Sequence, residues 1–179
     1  MTTKPPFIFR LLLALVGMGF TVTVSTQEVA SNGGHVFHHA DAAESYSRGP
    51  MVSTFLLTTE QTEGRYSIVR ETFGPAFSSY PGHTHKAHSE VFFVISGTME
   101  WTVNGDTQQI GPGDLVYIPP NSHHGGRVVG DEDVHALMLY EPAGYEQNYF
   151  RRRELSEEER QDPEVMRELM ELADVHINP

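Results

Sequence analysis

Residues 81 to 97 read PGHTHKAHSEVFFVISG, and three histidines and one glutamate fall within eight of those positions. Side chains alternate along an extended chain, so His83 and His85 point to the same side. Glu90 follows across a short irregular link, KAHS, at the point where a strongly apolar run begins. Two imidazoles and a carboxylate that converge make a site for a borderline divalent ion. The chain has no cysteine, so thiolate ligands, iron–sulfur clusters, disulfides and thiol catalysis are excluded. A fourth ligand has to come from a neighbouring segment. GPGDLVYIPPNSHHGG offers His123 or His124, just after Pro119 and Pro120. Adjacent residues of an extended segment face opposite ways, so only one of the two ligates.

Three imidazoles and one carboxylate fill four positions. An ion that prefers six, such as Fe, Mn, Ni or Co in the divalent state, keeps two open for substrate and for O2 or water. Such an ion lowers the pKa of a bound enol or phenol. Glu90 is then both a ligand and a candidate base, because a carboxylate at that place is a poised proton acceptor. His88 lies out of step with the alternation and reads as a rim residue or as a group that orients a ligand. His35, His38 and His39 in HVFHHAD have no partner segment with which to build a second site. His135 and His176 read as ordinary surface or hydrogen-bonded histidines.

The elements that must position these residues are mostly strands. MVSTFLLT and RYSIVRETF are rich in β-branched and aromatic residues. EVFFVIS is apolar on both faces and reads as a central strand. TMEWTV and DTQQI flank Asn104-Gly105, a pair suited to a type I′ hairpin turn. LVYIPP, RVV and VHALMLY complete the set. Many short strands with almost no helix between them predict an antiparallel all-β barrel or sandwich over residues 51 to 143. Phe92 and Trp101, with Val94, Val116 and Ile118, are expected to form its apolar wall, and the first two are candidates for the substrate pocket. Tyr66 and Arg70 point inward toward a substrate oxygen or outward to solvent, depending on the strand's phase.

Residues 144 to 179 change to helical periodicity. Val165, Leu169, Leu172 and Ala173 share a face, with Asp162 as N-cap and Pro163 at the first helical position. A short turn containing Tyr145, Tyr149 and Phe150 precedes them. These helices are expected to pack on the barrel. Residues 27 to 50 read as an extended arm, which could add a strand to a second subunit and make a homodimer.

The motif HTHKAHSEVFFVISG reads His-x-His, four residues, Glu, six residues, Gly, and resembles the first motif of the cupins. His83, His85, Glu90 and Gly97 stand in its positions. GDLVYIPPNSHH resembles the second motif, with Gly113 and Pro119 in place and His124 at the histidine position. Phe77 stands where the first motif has an upstream glycine, and Asn121 where the second has one. Asparagine tolerates positive φ, so the turn survives. The resemblance implies a jelly-roll (cupin) barrel with one divalent metal ion per chain on His83, His85, Glu90 and His124. Within the cupins, EQTEGRYSIVRETF, HTHKAHSE, EVFFVISG and PAGYEQNYFRRR are similar to the bacterial single-domain quercetin dioxygenases. That likeness implies O2-dependent opening of a flavonol's heterocyclic ring, with a small aromatic substrate and Glu90 taking its hydroxyl proton. The alternatives are a lyase, isomerase or cyclase that uses the ion as a Lewis acid, and a cupin that binds a small ligand without turnover.

The net charge of −12 argues against nucleic acid or an anionic membrane surface as a partner. The first residues, MTTKPPFIFR, carry Lys4 and Arg10. LLLALVGMGFTVTV is an uncharged apolar run, and small residues follow in TVSTQ. The run is shorter than the ~20 residues of a bilayer span, so residues 1 to 26 read as an export signal, with an uncleaved membrane anchor as the alternative. Protein recovered from its native host is expected to begin near residue 26 or 27. N-terminal sequencing checks this, and an intact Met1 or Thr2 on soluble cytoplasmic protein contradicts it.

Overall fold

The computed structural model describes residues 34–39 and 42–177. The expected export signal and the first part of the arm lie outside them. Nine strands follow in chain order: β1 (Ser45–Arg48), β2 (Met51–Leu57), β3 (Ser67–Phe73), β4 (Ser89–Ser96), β5 (Met99–Val103), β6 (Asp106–Ile110), β7 (Leu115–Ile118), β8 (His124–Val128) and β9 (Val134–Glu141). Two helices close the chain, α1 (Glu146–Arg153) and α2 (Pro163–Leu172), with a 3-10 turn at Glu159–Gln161 between them.

All strand pairs are antiparallel. One sheet has the order β1-β2-β3-β9-β4-β7 and the other β6-β5-β8. The inner faces of the two sheets meet in a single core, in which Phe92 of β4 meets Trp101 of β5 edge-to-face at 5.0 Å between ring centroids. This is a jelly-roll barrel. The β5–β6 hairpin turns on Asn104 and Gly105, with φ of 50° and 89°, as a type I′ turn requires. Asn121 also has positive φ, at 66°.

The strand β4 is central in its hydrogen bonding, between β9 and β7, but it is not covered on both faces. Phe92 and Val94 are fully buried, whereas Phe93 and Ile95 are exposed on the outer face beside Leu115 and Tyr117 of β7. An apolar run on both faces was expected to mean double burial. Here one half of it is an exposed apolar patch. The end of the arm, β1, pairs with β2 of its own chain.

The helices pack on the barrel through aromatic contacts. Phe55 of β2 lies 5.6 Å from Tyr149 and 4.8 Å from Phe150, both on α1. Asp162 caps α2 by accepting from the Glu164 amide at 2.8 Å, with Pro163 next to it. Leu169 and Ala173 are buried as the periodicity predicts. Leu172 is exposed, because the helix turns only a narrow stripe toward the barrel. Beyond α2 the chain returns to the barrel, and His176 exchanges two backbone hydrogen bonds of 2.9 Å with Thr84.

Candidate metal centre

The two histidine-bearing segments are laced together by their own backbone. His83 and His124 exchange amide-to-carbonyl hydrogen bonds of 2.9 Å in both directions, and the Asn121 amide donates to the His85 carbonyl at 2.6 Å. The close approach depends on Gly82. Its φ is 104°, and a Cβ there would sit 2.6 Å from the His124 carbonyl oxygen. The lacing brings one imidazole nitrogen from each of His83, His85 and His124 within 4.8 Å of the others. Glu90, at the start of β4, places Oε1 3.3 Å from His85 Nε2 and Oε2 3.1 Å from His124 Nε2. His85, Glu90 and His124 are all buried.

The tautomers follow from the other ring nitrogens. His85 Nδ1 lies 3.0 Å from the Asp174 carbonyl oxygen, and His124 Nδ1 lies 2.9 Å from that of Ser122. A carbonyl oxygen only accepts, so each Nδ1 carries the hydrogen and donates it. In the neutral ring, each Nε2 then turns a lone pair toward Glu90. Neither Nε2 completes a hydrogen bond. Lone pairs facing a carboxylate across a buried gap call for a cation between them, and a divalent ion fits that donor set. Burial by itself raises the Glu90 carboxyl. Hydrogen bonds and positive charge from His124 and His85, when those rings are protonated, or a cation standing in the protons' place, overcome it and hold the group well below the ordinary carboxylate range. His83 is pushed down to about 3, first by burial and then by its histidine neighbours, so it is neutral and able to ligate.

His123 turns away from this cluster. Its ring packs over Gly82, and its backbone is held by Asn104, whose Oδ1 accepts from the His123 amide at 2.9 Å. His88 is buried rather than at a rim. Its ring lies 4.1 Å from that of His85, between Glu90 and Asp174. Burial, then His85, pushes it down to about 4.

Beside Glu90, His83 and His124 lies a cavity of ≈ 160 Å³, lined also by Arg48, Glu71, Trp101, Met138, Tyr140, Tyr145 and Tyr149. Trp101 is the pocket residue expected from the sequence that does line it. Phe92 is fully buried in the core behind it. Of the two placements open for Arg70 and Tyr66, the outward one is found, and neither lines this cavity. Alternation along β3 turns Ser67, Val69, Glu71 and Phe73 inward and leaves Arg70 on the outer face, while Tyr66 is 37% exposed just before the strand. The inward phase of β3 belongs to Glu71, and the odd-numbered alternation Ser-Val-Glu-Phe carried that signal.

Several site residues come from elements that the sequence reading treated as cover. Tyr145 stacks on Tyr140 at 4.3 Å between centroids, almost parallel. Burial raises both phenols, and they remain protonated. Asp174, just past α2, supplies the carbonyl that fixes His85, and its carboxylate accepts from the Ala87 amide at 2.6 Å. Its φ of 53° turns the chain for this, an αL turn after a helix that Asp adopts more readily than most residues. Glu71 accepts from Ser53 Oγ at 2.8 Å, and burial pushes its carboxyl up to about 8.

A model of the cupin domain matches residues 69–140, from β3 to β9. Over these strands, about two fifths of the chain, it is similar to the cupin domain. It is 28% identical over 80 residues to the quercetin 2,3-dioxygenase of Bacillus subtilis, covering 45% of this chain and 23% of that protein. It is 36% identical over 56 residues to an uncharacterized protein of Streptomyces coelicolor, covering 31% of this chain and 52% of that one. The matched stretches thus span a quarter to a half of these relatives. Among solved structures, a predicted oxalate decarboxylase of Thermotoga maritima has a TM-score of 0.54 at 19% identity, covering 60% of this chain and 99% of that one. KdgF of a Halomonas species has a TM-score of 0.52 at 18% identity, over 60% and 94% of the two chains. These two likenesses concern the barrel fold.

Two outcomes test the centre. The purified protein is expected to hold about one divalent ion per chain. His124→Ala should weaken its binding by more than about 100-fold, whereas His123→Ala leaves it near wild type, as judged by elemental analysis and metal titration. Greater damage from His123→Ala would shift the second segment by one residue. Glu71 gives a pH signature in the metal-free protein. The folded chain keeps a proton that the unfolded chain releases above about pH 4.5, so stability is fullest below that pH and drains as pH rises toward 8. Urea melts should show a loss of the order of a few kcal/mol between pH 5 and 8. Glu71→Gln, which has no proton to lose, should flatten the decline.

Proposed function

We propose that the chain is a metal-dependent enzyme, an O2-dependent dioxygenase that opens the ring of a flavonol-like (quercetin-type) or other enolisable aromatic substrate. The observation that carries this reading is the buried, ionised Glu90 carboxylate facing an aromatic-lined cavity beside three convergent imidazoles. His83, His85, Glu90 and His124 would hold one divalent ion, which supplies electrophilic stabilisation of an enolate oxygen and open positions for O2. Glu90 takes the proton of the substrate hydroxyl. Trp101, Tyr140 and Tyr145 offer flat apolar faces to an aromatic ring and keep bulk water away from the anion so formed. The likeness to a quercetin 2,3-dioxygenase supports the choice of substrate class. The N-terminal charged, apolar and small-residue succession supports export as part of the same reading.

One observation favours a second reading, a lyase or isomerase that works without oxygen. Glu71 and Glu90 line one cavity in opposite protonation states, the first raised to about 8 and the second held ionised. An acid and a base with separated pKa values suit proton-transfer chemistry at an enolisable carbon.

The deciding experiment is turnover of quercetin in air and under argon. Wild type is expected to consume O2 and to stop under argon. Glu90→Gln keeps the shape and one oxygen but loses the charge, and should turn over at least ~10²-fold more slowly. Equal rates under argon and air with the true substrate would give the second reading its place. No turnover in either form would leave a ligand-binding barrel.

A further inference from the structure

The helix α1 presents an unusual stripe to the barrel. Tyr145, Asn148, Tyr149 and Arg152 stand at spacings of three and four residues, on one face of the helix. A core-facing stripe is normally aliphatic. Here it carries an amide and a guanidinium, and both line a second cavity of ≈ 210 Å³ between α1, α2 and the barrel. Arg48, Ser79, His83 and Tyr145 line this cavity and the one at the candidate metal centre alike, so the two adjoin.

Two polar side chains of this second cavity hold atoms without partners. Asn148 is 5% exposed, and its Oδ1 is buried without a hydrogen bond. Arg152 Nε is buried and also unpartnered, and Arg152 Nη1 has only the Met166 sulfur at 3.8 Å. Arg127, Arg151, Arg153, Arg160 and Arg167 each lie against a carboxylate. Among the described residues, Arg48, Arg65, Arg70 and Arg152 have no such partner, and of these Arg152 has a buried nitrogen without a hydrogen bond, in a chain with 24 acidic residues against 12 basic ones. Burial and then the charge of Arg48 lower the Arg152 pKa, so the two cations disfavour each other where they stand. The buried Arg152 Nε donor without an acceptor and neighbouring like charges without a counterion are both costly, and one anion relieves both.

We infer that Arg48, Arg152 and Asn148 form a subsite for an acidic group, a carboxylate, on the substrate whose reacting part lies beside His83. This rests on the enzyme reading above and narrows it: the substrate is an enolisable aromatic acid rather than a neutral flavonol. Two guanidiniums match a carboxylate's oxygens with charge-assisted, directional hydrogen bonds. The Asn148 side chain, whose Oδ1 is held by no donor, is free to turn its N–H toward the same group. His83 and Tyr145 stand where the two cavities meet, so a single ligand extends from one to the other.

The test is binding, measured apart from turnover. Calorimetry compares 3-hydroxyflavone with its 4′-carboxylate on the purified protein, and thermal melts compare benzoate with benzamide. The carboxylated flavonol is expected to bind at least about tenfold tighter than its neutral parent. Benzoate is expected to raise the melting temperature where benzamide does not, and high salt should erase both differences. Arg48→Gln and Arg152→Gln should each shrink the preference, with metal content unchanged. Arg152→Lys, which keeps the charge, should retain part of it. The wild-type comparison stands even where a variant fails to fold. Absence of any carboxylate preference in both probe pairs, or a preference that survives both glutamine variants, overturns the subsite. Oxygen uptake answers separately. A carboxylate preference without O2 consumption removes the dioxygenase reading and leaves the subsite. O2-dependent turnover of a neutral flavonol without any carboxylate preference does the reverse.

Discussion

A carboxylate buried against ring nitrogens that have no hydrogen to give is the interaction on which this structure turns. Glu90 faces His85 and His124 at 3.3 and 3.1 Å, and in both rings the hydrogen is committed to a backbone carbonyl on the far side. Burying a charge is costly unless something of opposite sign meets it. The arrangement leaves a gap suited to a cation, and the local architecture presents it. Gly82 lets the two histidine segments touch, the paired backbone bonds between His83 and His124 fix their register, and β4 carries Glu90 in from the other sheet.

The C-terminal segment is part of the same arrangement. It leaves α2 at Asp174 with positive φ, gives its carbonyl to His85, caps the loop at Ala87, and then pairs with Thr84. The helices therefore do more than cover apolar surface. Through Asp174 they set the tautomer of a candidate ligand. Through Tyr145, Asn148 and Arg152 they form one wall of the space in front of it.

That space divides into regions of different chemistry. Near Glu90 the walls are aromatic and the carboxylate is ionised. Across the cavity Glu71, held by Ser53, keeps its proton, because the barrel interior offers it burial without an adjoining imidazole. Farther out stand the guanidiniums of Arg48 and Arg152. Two carboxyl groups on one inner surface thus differ in protonation through their immediate neighbours alone, the situation in which acid and base roles separate.

Much of this was legible in the sequence, for a physical reason. Strand alternation, the Asn-Gly hairpin and the His-x-His spacing are local properties, and they gave the strands near their observed limits and brought His83, His85 and Glu90 to one place. Alternation said only that one of His123 and His124 ligates, and the resemblance of GDLVYIPPNSHH to the second cupin motif pointed to His124. Tertiary structure decided what depends on segments far apart in the chain. It settled which phase of β3 faces inward, and so gave the cavity Glu71 rather than Arg70. It left Phe93 and Ile95 exposed, since hydrophobicity alone does not say how many faces of a strand are covered. It placed Arg48, Tyr145, Asn148, Arg152 and Asp174 around the centre, although they lie some 35 to 90 residues from His83. No local period encodes such a meeting, because it arises only when the sheets close and the helices fold back across their open side.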